Sequence, residues 1–237
     1  FVNMKRGDKM DERIIKGIEQ LRSLKQKHYE LGLLMHQAAP HIFGTDLLAM
    51  AVLNRSVVLI EGFCTLLEAK NYLCAAPLIR FQLDSILRFF ATSLVDNSDD
   101  LSLTILEGTP VRNLQDRDGK YMTDQYLLKK VVALYPWAPS VYENSSGFIH
   151  LSEKHILHTI RDAREDADGR TITMAVGTPA DEYIPISIKL EAVDCLHAET
   201  EAVLGLVASW VHAKHESRNH VKTPPQRPLD QSPGATP

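Results

Sequence analysis

The sequence has few of the features that mark secreted, zinc-binding or membrane proteins. Its 237 residues include only three cysteines, an odd number, and none has the CxxC spacing typical of zinc or redox sites. No charged-then-apolar signal segment opens the chain. The most apolar run, Val57 to Leu67, contains Glu61 and is too short to span a bilayer. These absences predict a cytoplasmic protein with reduced cysteines in its core and no membrane partner.

The sequence also lacks an excess of positive charge. Its formal net charge is −4 and its pI is about 6.2, which disfavours non-specific binding to nucleic acids or anionic lipids. Hydrophobic residues make up 44% of the chain and charged residues 24%, as in ordinary globular proteins. One domain with a sizeable core is therefore expected. Because residue 1 is Phe rather than Met, the question whether this sequence is part of a longer gene product stays open.

Apolar residues recur three or four positions apart over several long segments, which predicts amphipathic helices. Four long helices are expected, and shorter ones from a Thr123–Asp124 cap to Leu134 and from Ser140 to His150. The long helices are predicted at Asp11 to Ala38, from a Thr45–Asp46 cap to Asn71, at Ala75 to Leu94, and from Pro185 to Lys214.

A small β-hairpin is predicted near residues 154–176. His155 to Ile160 and Thr171 to Val176 favour strands, and the charged segment Arg161 to Arg170 between them favours a loop. The predicted fold is therefore mainly α: an antiparallel helical bundle over residues 11–217 with this hairpin attached. Residues 1–10 are expected to be flexible. The proline-rich residues 218–237 are expected to be a disordered tail, because they offer almost nothing to bury.

Three charged residues interrupt otherwise apolar helices. Arg80 and Asp84 are four residues apart and share one helix face, and Glu61 lies in the preceding helix. A buried charge is costly unless it is paired. We therefore expect Glu61, Arg80 and Asp84 to form one buried network, with His150 close enough to share it. An ion-pair network that fixes helix register is the main interpretation, and a catalytic site is the alternative.

A second candidate group lies between Tyr142 and Leu151. It contains Tyr142, Ser145, Ser146 and His150, and histidine is the commonest acid–base residue in enzymes. No GxSxG motif accompanies these residues, so a serine-hydrolase triad is not indicated. A structural hydrogen-bonding role and a catalytic or ligand-binding role both remain open for His150.

These two groups together resemble a known family. The pattern A-A-P-L-I-R-x-x-x-D from Ala75 to Asp84, followed by Y-x-x-S-S-x-x-I-H from Tyr142 to His150, is similar to uncharacterised prokaryotic helical proteins with LLRxxxE and SxxxH segments. Those proteins look distantly similar to the HEPN superfamily of nucleotide-binding and ribonuclease domains. The resemblance implies a helical fold, a prokaryotic and defence-linked context, and a possible metal-independent ribonuclease.

The sequence departs from this family at two points. Asp84 stands where the family has glutamate, a change that a buried ion pair tolerates. HEPN ribonucleases carry an arginine four to six intervening residues before a histidine, and no arginine precedes His150 at that spacing. Arg22 and His28 do have it, but they lie in the first predicted helix. The ribonuclease activity of the superfamily is therefore in doubt for this chain.

No cofactor or metal site is expected. His155 and His158 would point to opposite faces of a strand, and no acidic or cysteine residues complete a ligand set.

The sequence and the resemblance together leave three hypotheses for the function. The leading one is a non-catalytic helical module that forms a homodimer or binds a protein partner. The second is a HEPN-like ribonuclease that uses Arg80, Asp84 and His150 and binds RNA. The third is a small-ligand or nucleotide binder with a pocket between the second and third helices.

Overall fold

The computed structural model describes residues 10–149, 160–166, 169–174 and 184–221. Within these ranges the protein is mainly helical, as predicted. Two 3₁₀ turns, Ala91–Leu94 and Val111–Asn113, connect helices. The helices are α1 (Glu12–Ala38), α2 (Gly44–Glu68), α3 (Tyr72–Phe90), α4 (Ser98–Leu106), α5 (Asp124–Val131), α6 (Ala138–Ile149) and α7 (Ile186–Val221).

Local hydrogen bonds explain where the long helices begin. The Asp11 carboxylate accepts from the Arg13 amide at 2.9 Å and caps α1. At α2 the predicted cap is shifted: Phe43 is the N-cap residue, and its amide donates to the Asp46 carboxylate at 2.9 Å. Asn71 was predicted to end α2. It instead begins α3, because its side chain accepts from the Cys74 amide at 3.3 Å.

Two later boundaries also differ from the prediction. Helix α5 begins after Thr123 as expected but ends at Val131, three residues before the predicted Leu134. Helix α7 continues to Val221, past the predicted end at Lys214 and into the predicted tail. Residues 1–9 and 222–237, and thus most of the predicted flexible segments, lie outside the described residues.

The four long helices pack around one core. Arg22 of α1 bonds Glu68 of α2 while His28 bonds Ser56, so these two helices run antiparallel. Helices α2 and α3 also run antiparallel. Helix α7 lies beside α1 in the same direction, so the prediction of an antiparallel bundle is wrong for this pair. A glycine permits this last approach, since a Cβ on Gly17 would lie 2.5 Å from the Val193 side chain. Helices α4, α5 and α6 cover the α2–α3 side. The outer surface of α1 and α2 has no such cover within the described residues.

A hydrogen-bonded polar layer divides the core into two apolar clusters. It takes one residue from each long helix: His28, Ser56, Gln82 and Thr200, all buried. His28 Nδ1 donates to a backbone carbonyl at 2.8 Å, so Nε2 accepts from the Ser56 hydroxyl at 2.9 Å. The Gln82 amide donates to both Ser56 and Thr200. Burial lowers the pKa of His28, so the layer holds a neutral imidazole.

Two short strands, β1 (Ile160–Asp166) and β2 (Gly169–Met174), pair antiparallel. They occupy the charged segment that was predicted to be a loop, and most of the predicted first strand, residues 155–159, lies outside the described residues. The register pairs Ile160 with Met174 at one end and Asp166 with Gly169 at the other.

Helix α2 is long and apolar enough to cross a membrane by length and composition alone. Half of its apolar window is buried against the rest of the protein. A helix at the centre of a globular core passes the same test, and α2 contacts α1, α3, α4 and α7. Its composition is therefore accounted for by packing on one side, while its outer side remains apolar and exposed.

Candidate functional site

The predicted face of α3 does carry an ion-pair network, but Asp124 of α5 is its central member. Arg80 donates to Asp124 at 2.9 Å, and Arg88 donates to the other oxygen of Asp124 at 2.6 Å. Arg88 also lies 2.9 Å from Asp84, which pairs with Arg55 of α2 at 3.1 Å. Arg80 and Asp84 thus belong to one chain of charges, joined through Arg88 and Asp124 rather than directly.

Glu61 does not join this network, so that part of the prediction is wrong. Its carboxylate accepts from Lys25 at 2.7 Å and from Arg22 at 3.1 Å, both in α1. Glu61 lies on the outer edge between α1 and α2, and its side chain is 45% exposed. The hydrogen bond from Lys25 is the main cause that lowers the pKa of Glu61. Because α2 is apolar on several faces, its sequence did not show which neighbour Glu61 would meet.

Helix α6 places an aromatic ring against the network. The Arg80 guanidinium carbon lies 4.2 Å from the centroid of the Tyr142 ring, a cation–π contact. Ser145 and Ser146 each donate to a backbone carbonyl of their own helix, at 2.6 and 2.5 Å. Their hydroxyl hydrogens are therefore used within α6, which is a structural role. His150 lies outside the described residues.

Arg80 is enclosed rather than open to a cleft. Its side chain is 10% exposed, whereas the Asp124 side chain is 27% exposed. Burial raises the pKa of Asp124, but the Arg88 and Arg80 cations outweigh burial and hold that pKa below its ordinary value. The arrangement is a closed set of ion pairs between α2, α3 and α5. It favours the register-fixing interpretation over a site that binds phosphate groups.

A fully buried carboxyl group, Glu199 of α7, was not found from the sequence. Neither of its oxygens has a hydrogen-bond partner among the described residues. Burial raises its pKa well above the ordinary value, and the opposing attraction of Arg80 is smaller. Burial therefore favours the protonated form of Glu199. One signal was present: Glu199 is three residues after Leu196 and four before Val203, within the apolar stripe of α7.

The arginine and histidine with HEPN-like spacing do not meet. Arg22 points outward and binds Glu68 at 2.6 Å, while His28 is buried in the polar layer with Ser56. Since one side chain is on the outer edge of α1 and the other is in the core, no single substrate reaches both. The Arg22–His28 pair therefore does not form a catalytic site.

A second buried ion pair lies where the ends of α1, α2 and α7 meet. Lys214 donates to Asp46 at 2.7 Å and to the Met35 carbonyl at 3.1 Å. Asp46 also accepts from the Trp210 indole at 2.8 Å and from the Phe43 amide. The Lys214 and Asp46 side chains are 2% and 7% exposed, so this is the most buried of the described ion pairs. Sequence analysis missed it, because the two residues are 168 positions apart.

The three cysteines are free thiols. Cys64 is buried, Cys195 is partly buried, and Cys74 is exposed, so the prediction of three core cysteines is wrong for Cys74. Burial raises the pKa of Cys64 to about 11, which keeps it a thiol at neutral pH. Among the described residues, no group of three or more His, Cys, Asp or Glu side chains is arranged to hold a metal ion.

Comparisons with protein-family models, with curated proteins and with solved structures found no match to this chain. The function therefore has to be inferred from the geometry of the molecule itself.

Replacement of Arg80 tests the role of the network. Arg80→Ala is expected to lower the free energy of unfolding by about 1–2 kcal/mol, because it removes one charged hydrogen bond and the Tyr142 contact while Asp124 keeps Arg88. Glu61→Ala is the matched control, with an expected loss of about 0.5 kcal/mol or less for an exposed pair. Urea unfolding measures both. Equal losses in the two variants would contradict an enclosed network at Arg80.

Proposed function

We propose that this protein is a non-catalytic helical module that forms a homodimer through the outer surface of α1 and α2. The observation that carries the proposal is an exposed apolar surface on these two helices, called here the α1–α2 face. Its large apolar side chains are 47–70% exposed. They are Tyr29, Leu33, Ile42, Leu47, Met50 and Val58.

The exposed apolar residues of the α1–α2 face follow helical spacing on each helix. Tyr29 and Leu33 are one turn apart on α1, and Leu47, Met50 and Val58 follow helical spacing on α2. The two helices approach closely in the middle of the face, where a Cβ on Gly32 would lie 3.4 Å from the Met50 sulfur. An exposed apolar surface that extends over two helices is typical of a protein–protein interaction site. Aromatic residues and methionine are also enriched at interface cores.

The charges beside this face favour a second copy of the same chain as the partner. At one end the face borders Arg22 and Lys25, which are positive, and Glu61 and Glu68, which are negative. A border that carries both signs is complementary to itself when a two-fold axis brings two copies together. A strongly basic or acidic partner would find no matching charge there. The face therefore has the apolar centre and polar rim of a homodimer interface.

A HEPN-like ribonuclease is the alternative that the resemblance supports. It requires Arg80 and His150 in one accessible cleft, and the enclosure of Arg80 by Asp124 and Tyr142 argues against it. The ligand pocket predicted between α2 and α3 has little room, because a Cβ on Gly62 would already contact Leu78 at 3.4 Å. The prokaryotic, defence-linked context and the cytoplasmic location remain parts of the proposal that rest on the resemblance and on composition.

Val58→Glu tests the dimer. The parent protein is expected to sediment at twice the 26.6 kDa chain mass at micromolar concentration, and Val58→Glu at the mass of one chain. A glutamate buried at an apolar interface position costs several kcal/mol, so dimer dissociation should increase at least about 100-fold. Leu134→Glu is the control, because Leu134 is similarly exposed, at 58%, but follows α5. A monomeric parent, or a dimer that Val58→Glu leaves intact, would refute this interface.

An RNA cleavage assay decides between the dimer module and the ribonuclease. The parent protein, Arg80→Ala and His150→Ala are incubated with a mixed-sequence single-stranded RNA, and thermal melting confirms that each is folded. No cleavage above buffer is expected for any of them. If the parent cleaves RNA and a folded His150→Ala variant does not, the ribonuclease replaces the non-catalytic dimer module as the favoured function.

A further inference from the structure

A pocket opens beside the buried Lys214–Asp46 pair. Its volume is about 470 Å³, within the range of small-molecule sites. It lies between the end of α1, the start of α2 and the end of α7. Its lining is mostly apolar and includes Met35, Ile42 and Met50. The exposed His36 and His41 also line it. The pocket thus combines an apolar wall, a buried pair of charges and two exposed imidazoles, and apolar walls with a few polar groups are common in ligand-binding cavities.

The hydrogen bonds of the charged pair show which group is available to a ligand. Asp46 accepts three hydrogen bonds, from Lys214, Trp210 and the Phe43 amide, so its oxygens are well satisfied. An ammonium group has three hydrogens. Two of those on Lys214 go to Asp46 and to the Met35 carbonyl. The third has no oxygen or nitrogen acceptor among the described residues; the Phe43 ring, with its centroid 5.6 Å from the ammonium nitrogen, is a weaker partner that a ligand oxygen can replace.

Electrostatics restrict the ligand further. The positive charge of Lys214 is balanced by Asp46 at 2.7 Å, so the base of the pocket has no net charge. An anionic ligand would face the Asp46 carboxylate, and a cationic ligand would face the Lys214 ammonium. Either would bring an uncompensated charge into an apolar site, which is costly. A neutral molecule with one accepting oxygen avoids that cost and satisfies the free donor.

We propose that this pocket binds a small uncharged molecule with an apolar body and one carbonyl oxygen, which accepts the third hydrogen of Lys214. The apolar body contacts Met35, Leu47 and Met50. The pocket shares Ile42, Leu47 and Met50 with the α1–α2 face, so a dimer formed through that face would cover part of the pocket wall. Val58 does not line the pocket, so the monomeric Val58→Glu variant is expected to keep the binding site.

The test uses two probes of the same shape. 4-Phenylbutan-2-one is neutral and carries a ketone, and 3-phenylpropanoate replaces the ketone end with a carboxylate. The protein is labelled with ¹³C at its methionine methyl groups and titrated with each probe by NMR. The ketone is expected to shift the signals of Met35 and Met50 with a Kd on the order of 1 mM, a reasonable affinity for about eleven non-hydrogen atoms. Buried Met122 and exposed Met174 are internal controls that should not shift.

Two variants separate pocket binding from other effects. Gly32→Leu fills the space beside Met50 and is expected to weaken the ketone at least about 10-fold, while leucine is a better helix former than glycine and the fold is retained. Val58→Glu leaves the pocket lining intact, so it should bind the ketone at least as tightly as the parent. Equal affinity for ketone and carboxylate would overturn the proposed neutral-acceptor chemistry. No shift at Met35 and Met50, or shifts that Gly32→Leu leaves unchanged, would overturn the site.

Discussion

Lys214→Met is expected to lower the free energy of unfolding by about 3–5 kcal/mol, the range for a buried ion pair that loses one partner. The large value follows from the Asp46 carboxylate, which would stay buried with two neutral donors, Trp210 and the Phe43 amide, and no cation. Methionine matches the length of the lysine stem, so loss of packing contributes little. Urea unfolding followed by circular dichroism gives the difference.

Lys27→Met is the matched control for this prediction. Lys27 also pairs with a carboxylate, Glu201, at 2.9 Å, but both side chains are about half exposed. Its loss is expected to cost about 0.5 kcal/mol or less. In addition, the double variant Lys214→Met with Asp46→Asn should recover part of the lost stability, because the asparagine is neutral. If Lys214→Met costs no more than Lys27→Met, the buried pair is not what stabilises this corner of the fold.

The helices were predictable because their signals are local. Apolar spacing located α1, α2, α3 and α7, and the predicted cap at Thr123 marked the start of α5 correctly. Errors of a few residues occurred where two signals competed. Asparagine is common both after the end of a helix and at the N-cap of the next one. Asn71 is the N-cap of α3, because its side chain accepts a hydrogen bond from the Cys74 amide. Helix α7 continues beyond its apolar residues to Val221, because polar residues such as Lys, Glu and Arg also favour the helical conformation.

The polar network was only partly predictable, because it depends on contacts between distant segments. The spacing of Arg80 and Asp84 placed them on one face, and the structure confirms that both join one chain of charges. Their link is Asp124, 44 positions after Arg80, in a short helix whose packing the sequence did not reveal. The predicted partners of Glu61 were wrong because its actual partners, Arg22 and Lys25, also lie in a different helix. A charge in an apolar helix shows that a partner is needed but not which helix supplies it.

Two of the buried carboxyl groups, Asp46 and Glu199, have opposite environments. Asp46 is surrounded by three donors, including a cation, so burial of its charge is compensated. Glu199 has no hydrogen-bond partner among the described residues, and the attraction of Arg80 offsets burial only in part. The first carboxylate is therefore expected to stabilise the fold through its pair. The second is expected to cost stability at neutral pH, which can be measured by removing it.

Glu199→Met is expected to raise the free energy of unfolding by about 2–3 kcal/mol at pH 7.5, because a buried unsatisfied carboxyl is replaced by an apolar side chain of similar length. Burial raises the folded pKa of Glu199 above the ordinary 4.5, so the cost is absent below pH 4.5 and grows as the pH rises through the folded pKa. The gain should therefore shrink to about 1 kcal/mol or less near pH 4.5. Urea unfolding across this pH range measures it, with the exposed Glu201→Met as control. A loss of stability would show that Glu199 is ionised and paired in the folded protein, and a gain that does not change with pH would show that folding does not raise its pKa.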